Sequence, residues 1–137
     1  MAKAIIDQVR ETQAALAELQ GEDFAAISKQ LGLGAAALEE VVDFVVANVK
    51  PNIKGVFAGS VLYLKLAGIV LGGWQMGRAA LVAQKKLEAG EGDAAFLRAK
   101  IATARFFADH ILSGAQGLRS AIVEGSAGVL ALDVEQF

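Results

Sequence analysis

Apolar residues along this chain recur at alternating steps of three and four, the spacing that places side chains on one face of an α-helix. The pattern predicts a first helix over about Ala2 to Gln20, with a glycine stop at Gly21. It predicts a second, uninterrupted helix over about Glu22 to Lys50, because the stripe stays in phase through Gly32 and Gly34. Strict two-residue alternation and Asn-Gly or Asp-Gly hairpin turns are missing from the sequence, so strands are not expected.

Two further helices are predicted after Pro51, which ends the second one. The third runs from Ile53 or Val56 to about Ala89, and the fourth runs from Ala94 to about Glu124, with Asp93 as its N-cap. Four long helices with short connections predict an all-α protein. We expect an antiparallel up-and-down four-helix bundle that forms a single domain over residues 1–137.

The third helix raises the question of a membrane span. Its stretch Gly55–Gly77 is long enough to cross a bilayer and carries one charge, Lys65, near the centre. A central lysine costs about 2.5–3.5 kcal/mol on insertion scales. We therefore expect no membrane span but a helix buried in the bundle and apolar nearly all round. Two glycine pairs with four-residue spacing predict close helix packing there: Gly68 with Gly72, and Gly73 with Gly77.

Composition and charge narrow the functional classes. The 13 basic and 15 acidic residues give a net charge of −2, which does not suggest a nucleic-acid partner. Without cysteine there are no disulfides, thiolate nucleophiles or cysteine metal sites, and a reducing, cytoplasmic location is expected. The start, MAKAIIDQVRETQ, does not read as a signal peptide. The second predicted helix carries a net charge of −3 over Glu22 to Lys50, and the fourth carries +3 over Ala94 to Ile122. These opposite fields favour adjacent positions for the two helices or mark faces that meet a partner.

The stretch KIATARFFADHI holds the single histidine, His110, and is the main candidate for chemistry. Asp109 is adjacent and points about 100° away on a helix, so the two cannot pair there. Ser113 could face His110, but a Ser–His pair without an orienting carboxylate is a weak triad candidate. Asp109 is better placed to pair with Arg105, four residues earlier. A structural histidine is favoured, and an independent enzyme that uses His110 is the competing reading.

Other kinds of site have weaker support. A di-iron bundle needs a glutamate three residues before the histidine, and Phe107 stands there. The acidic cluster of Glu39, Glu40 and Asp43 is typical of a solvated face. The glycines of GLGAAALEE lack a following Lys-Ser or Lys-Thr and a preceding strand, so a phosphate loop is not indicated.

Aromatic residues are a last candidate for a ligand site. They could line a pocket, but their helical spacing favours core packing: Tyr63, Trp74, Phe106 and Phe107. Arg78 lies four residues after Trp74 and could stack on its ring. From the residues alone, we expect no catalytic, cofactor-binding or metal-binding residue in this chain.

Two stretches resemble a known family: YLKLAGIVLGGWQMGRAAL, Tyr63 to Leu81, and DAAFLRAKIATARFFADHIL, Asp93 to Leu112. They are similar to the C-terminal helical extension of large bacterial acyl-CoA dehydrogenases, the 3-methylmercaptopropionyl-CoA dehydrogenase-like group. The ending, GSAGVLALDVEQF, resembles the ends of those chains. The resemblance extends over nearly all 137 residues and is most specific in KIATARFFADHIL.

The resemblance implies a parent oxidoreductase that removes hydrogen from the α and β carbons of an acyl-CoA thioester, with a glutamate base and FAD. In that family the flavin and the base lie in upstream domains, and the YEGT segment that carries the base has no match here. The implied role is an accessory domain that packs on the upstream catalytic domains and supports assembly, including a possible homo-oligomer. FAD and acyl-CoA would be met only through the full-length enzyme. The alternative is a free-standing helical module that binds a protein partner or an apolar ligand.

Overall fold

A computed structural model describes residues 2–136, which contain helices and no strand. In chain order the helices are α1 (Ala2–Ala17), α2 (Glu22–Asn48), α3 (Ile53–Ala58), α4 (Ser60–Ala89), α5 (Ala94–His110), α6 (Ala115–Glu124) and α7 (Ser126–Val129). Short 3-10 turns cover Leu112–Gly114 and Val134–Gln136. The all-α prediction is confirmed.

The first two helices follow the predicted pattern closely. Helix α1 ends three residues earlier than expected, and Gly21 provides the turn with a φ of 117°, a backbone conformation that favours glycine. Helix α2 is continuous through Gly32 and Gly34, as predicted. It begins with Glu22 and Asp23, whose negative charge suits the positive end of the helix dipole.

The third predicted helix is divided into α3 and α4 at Gly59. Helix α3 begins after Asn52, whose side-chain oxygen accepts a hydrogen bond of 3.1 Å from the Gly55 amide. The division places Gly59 against α6: a Cβ atom at Gly59 would lie 2.9 Å from Cγ2 of Ile122. A glycine is therefore needed for close packing at this point.

The fourth predicted helix is divided as well, which corrects the expectation of one helix from Ala94 to Glu124. Its N-cap is confirmed, since the Asp93 carboxylate accepts hydrogen bonds from the amides of Ala95 and Phe96. Helix α5 then ends at His110, and a 3-10 turn precedes α6. The Ser113 hydroxyl donates to the Asp109 carbonyl at 2.7 Å, a local side-chain bond of the kind that competes with regular helix.

Leu112, inside this turn, fills the centre of the core. It is 1% exposed and lies between α2 and α4. A Cβ atom at Gly34 would lie 2.8 Å from Cδ1 of Leu112, and one at Gly73 would lie 2.7 Å from its Cδ2. The two glycines therefore form the walls of the space that Leu112 occupies.

The glycine pairs of α4 have different roles from those predicted. Gly73 and Gly77 admit leucine side chains, Leu112 and Leu16, rather than a neighbouring backbone. A Cβ at Gly72 would lie 3.0 Å from the ring of Phe107, whereas Gly68 has no heavy atom within 4 Å of that position. The glycine spacing indicated close packing correctly for Gly72, Gly73 and Gly77 and wrongly for Gly68.

Helix α2 is the central element, because it packs against α1, α4, α5 and α6. Helix α4 also contacts α1, α5 and α6. The most fully buried large side chains come from α1, α2, α4, α6 and the 3-10 turn: Ile6, Val9, Leu16, Ile27, Leu31, Val41, Leu66, Val70, Leu112 and Ile122. One apolar core therefore unites the described residues.

Helix α4 buries less of its surface than we predicted from its composition. Its buried residues form one stripe: Leu66, Val70, Gly73, Gly77, Ala80 and Ala83. Only 33% of its most apolar 18-residue window is buried, so the expectation that this helix is buried in the bundle is wrong. By length and composition alone α4 could cross a membrane, a test that core helices of other proteins also pass.

Ion pairs join the acidic helix α2 to α1, α5 and α6. The opposite net charges favoured the contacts with α5 and α6, which together make up the fourth predicted helix. Lys3 and Arg10 of α1 pair with Asp43 and Glu39. Two further arginines reach α2 from the other side, at 3.2 and 2.6 Å: Arg105 to Asp23 and Arg119 to Glu40. These are exposed contacts that orient the helices more than they stabilise them.

Candidate functional site

His110 lies at the C-terminal end of α5. Among the described residues, none is placed to act with it as a catalytic partner. Its ring stacks at 4.6 Å between centroids on Phe106, one turn earlier. No hydrogen bond joins the imidazole to any other residue in 2–136. Ser113, the possible partner, donates its hydroxyl proton to the Asp109 carbonyl instead.

Asp109 is committed to Arg105, as the four-residue spacing suggested. Arg105 Nε lies 2.5 Å from a carboxylate oxygen of Asp109, and its Nη1 also donates to Asp23 and to the Glu22 carbonyl. The hydrogen bond to Asp109 is the main cause that raises the pKa of Arg105 above its usual value. This cluster joins α5 to α2, and it leaves neither a general base nor an orienting carboxylate for His110.

The acidic residues of α2 also form ion pairs that join helices. Glu39, Glu40 and Asp43 each pair with a cation from α1 or α6. Within residues 2–136, no group of three or more histidine, aspartate or glutamate side chains is arranged to hold a metal ion. The hydrogen bond from Arg119 to Glu40 raises the pKa of Arg119, which stays charged at any physiological pH.

The aromatic residues divide between the core and the surface. Trp74 donates its indole proton to the Thr12 hydroxyl at 2.9 Å, which ties α4 to α1, and the guanidinium of Arg78 lies 5.3 Å from its ring centroid. Phe107 packs on Gly72. Phe106 remains 59% exposed, so it is the one of the two adjacent phenylalanines that points away from the core.

A basic and apolar groove runs between α4 and α5. It has a volume of about 440 Å³ and its lining includes three cations, Arg78, Lys86 and Lys100. Phe96 and Val82 expose more than half of their side chains there, and the Lys100 ammonium lies 5.0 Å from the Phe96 ring centroid. No carboxylate lines the groove. It therefore offers positive charge beside apolar surface.

Positive charge without nearby acidic residues also extends along the sequence. The nearly balanced totals of 13 basic and 15 acidic residues do not show this. Residues 44–87 contain no aspartate or glutamate, yet they contain six cations: Lys50, Lys54, Lys65, Arg78, Lys85 and Lys86. None of the six forms an ion pair within the described part of the chain. A sliding count of charge along the sequence would have found this segment, which we call the acid-free segment.

Large apolar side chains are exposed at one end of this segment. From the last turns of α2, through α3, into the first turns of α4, they follow one another at steps of three or four residues: Val46, Val49, Ile53, Phe57, Val61 and Leu64. The exposed fractions of Phe57, Val61 and Leu64 are 64%, 77% and 74%. We call these six residues the end patch. Helix α7 contacts α3, and four exposed apolar residues lie at its end and just after it: Val129, Leu130, Leu132 and Val134.

The amino-acid sequence of this chain matches a known family. The family model described as acetyl-CoA dehydrogenase C-terminal like matches residues 5–133. The chain belongs to this family. The resemblance carried by Tyr63 to Leu81 and Asp93 to Leu112 is thereby confirmed, although no catalytic residue follows from it.

A curated relative of this chain is a much longer protein. This C-terminal-like domain is 38% identical, over 104 residues, to 3-methylmercaptopropionyl-CoA dehydrogenase of Ruegeria pomeroyi. The match covers 76% of the domain and 18% of the relative. The chain thus spans less than a fifth of the length of the curated relative that it matches.

Proposed function

We propose that this chain is the C-terminal accessory domain of an FAD-dependent acyl-CoA dehydrogenase. In this role it packs on catalytic domains that precede it in the same polypeptide and supports their assembly, without supplying a catalytic group. The observation that carries the proposal is the match of nearly the whole chain to a C-terminal family, together with a relative of which it covers only 18%.

The parent reaction in this proposal is the α,β-dehydrogenation of an acyl-CoA thioester. In this proposal FAD and substrate belong to the upstream domains of a cytoplasmic enzyme that forms a homo-oligomer. The residues of this chain are a poor fit for a flavin. Every buried side-chain nitrogen or oxygen in residues 2–136 already has a hydrogen-bond partner, and the larger recesses are open surface grooves. No chemical step is therefore assigned to these residues.

The architecture supports an accessory role. Polar side chains such as those of Arg105 and Arg119 join the helices to one another. Lysines that form no ion pair and several large apolar side chains lie on the surface. We extend this to the helix arrangement: α1, α2, α4 and the α5–α6 pair form an antiparallel up-and-down bundle in which the last member is bent at Leu112. Such a bundle has its own core and needs a partner only for its exposed apolar surface.

Removal of this domain from the longer polypeptide is the test. We expect the truncated enzyme to unfold at a temperature lower by about 4 °C or more, because an inter-domain interface of a few kcal/mol is lost. Its oligomeric state should change or become dependent on concentration. Differential scanning calorimetry and light scattering, with the intact polypeptide as control, measure both. Unchanged stability, oligomeric state and kinetics would show that the domain has a different role.

A further inference from the structure

The end patch has the properties of an interface that is open in the isolated chain. Within residues 2–136, sixteen large apolar residues are exposed, and ten of them lie either in the end patch or in residues 129–134 beside it. Single exposed apolar residues are ordinary, but a concentration of them on helices that contact one another indicates a surface that another surface covers. The core does not need them, because the helices concerned already bury separate stripes.

The positive charges around the end patch indicate what kind of surface can cover it. Lys50, Lys54 and Lys65 lie among or next to the end patch, within the acid-free segment, and none of them forms an ion pair with a residue in 2–136. A surface that covers the patch must tolerate these three positive charges. Apolar side chains bordered by carboxylates satisfy both requirements, since opposite charge at the rim of an interface favours association and orients it.

The shape of the surface favours a protein over a lipid. At Lys65, a recess of about 440 Å³ separates α4 from the start of α6, and its walls include Gly114 and Gly117, which have no neighbour within 4 Å of a Cβ position. Gly68 leaves a similar gap on α4. A recess of this kind receives a protruding side chain, which a protein surface supplies and a membrane surface does not.

From these observations we infer that the end patch docks on an apolar, acid-bordered surface of the dehydrogenase part of the same polypeptide. The inference rests on the proposed function and adds which face of the domain makes the contact. Most of the relative's length lies outside the matched domain, so a large surface is tethered to it. Tethering gives that surface an effective concentration on the order of millimolar, which favours it over a second free copy of the chain.

Hydrogen–deuterium exchange followed by mass spectrometry tests this assignment. Exchange is compared between the 137-residue chain and the same residues within the longer polypeptide. We expect the amides of residues 46–64 to exchange about tenfold more slowly, or slower still, in the longer polypeptide. Helix α3 is the most sensitive reporter, because an isolated helix of six residues is unstable by itself and depends on what covers it.

The pattern of protection separates this inference from the proposed function. Protection elsewhere on the chain, with residues 46–64 unchanged, would overturn the docking face while leaving the accessory role in place. Absence of protection anywhere would overturn both. Protection of residues 46–64 in the chain alone, by self-association or by vesicles containing phosphatidylserine, would assign the patch to a second copy or to a membrane and overturn the inference.

Point variants give a second readout. Leu64→Glu should abolish the protection in the longer polypeptide and leave the thermal unfolding of the 137-residue chain unchanged, because this side chain is already in water. Phe106→Glu is the matched control: an exposed apolar residue of a helix outside the patch, for which protection should be retained. Two charge-reversal variants, one at the patch and one outside it, provide the same kind of comparison. Lys54→Glu should weaken docking and Lys29→Glu, in α2, should not; equal effects of patch and control variants would contradict the assignment.

Discussion

Replacing Leu112 with alanine should lower the free energy of unfolding of the chain by about 2–5 kcal/mol. Leu112 is 1% exposed and its two methyl groups face Gly34 on α2 and Gly73 on α4. Because Gly34 and Gly73 have no side chains, neither residue can move a side chain into the space that the leucine leaves. The cost should therefore include most of the cavity term and fall in the upper part of the range.

Urea unfolding followed by circular dichroism measures this effect. Leu64→Ala is the control, since that side chain is 74% exposed and its truncation should change the free energy of unfolding by no more than about 0.5 kcal/mol. A loss below about 1 kcal/mol for Leu112→Ala would show that the 3-10 turn at Leu112–Gly114 does not hold the leucine between α2 and α4.

Two glycine-to-alanine substitutions in the same helix should have opposite signs. Gly73→Ala should destabilise the chain by about 1–2 kcal/mol, because a Cβ atom there would lie 2.7 Å from Leu112, which cannot move away without meeting Gly34. Gly68→Ala should stabilise it by up to about 1 kcal/mol, the ordinary helix-propensity gain, because no atom lies within 4 Å. Both residues are interior to α4, so the propensity term is shared.

The same unfolding experiment distinguishes the two effects, and a double variant isolates the clash. In a Leu112→Ala background, Gly73→Ala should become neutral or stabilising, because the leucine that it would meet is gone. Equal stabilisation by Gly68→Ala and Gly73→Ala in the unmodified chain would mean that Leu112 has room to shift, and that the close contact does not restrict the core.

Periodicity predicted the helical class and the extent of α2, including its passage through Gly32 and Gly34. It did not predict the breaks at Gly59 and after His110, because the apolar stripes continue across both positions at helical spacing. Those breaks depend on tertiary packing: Gly59 lies against Ile122, and Leu112 turns into the space between α2 and α4. Such contacts between residues far apart in sequence are not contained in a local pattern.

The surfaces were harder to read from the sequence than the core. The spacing of Arg105 and Asp109 predicted their ion pair, and the opposite net charges favoured the contacts of α2 with α5 and α6. The apolar composition of α4, however, led to the expectation of burial, whereas Val61 and Leu64 are among its most exposed residues. Composition does not distinguish a helix that is covered by its own fold from one that is covered by another domain.

The mass of the native protein tests the central claim most directly. An antibody raised against this chain, applied to an immunoblot of the source cells, reports the size of the polypeptide that contains it. The accessory-domain account predicts a band several times heavier than 14.2 kDa, as the length of the dehydrogenase relative implies. A single band near 14.2 kDa would contradict the account and direct attention to a free-standing module with a separate partner or ligand.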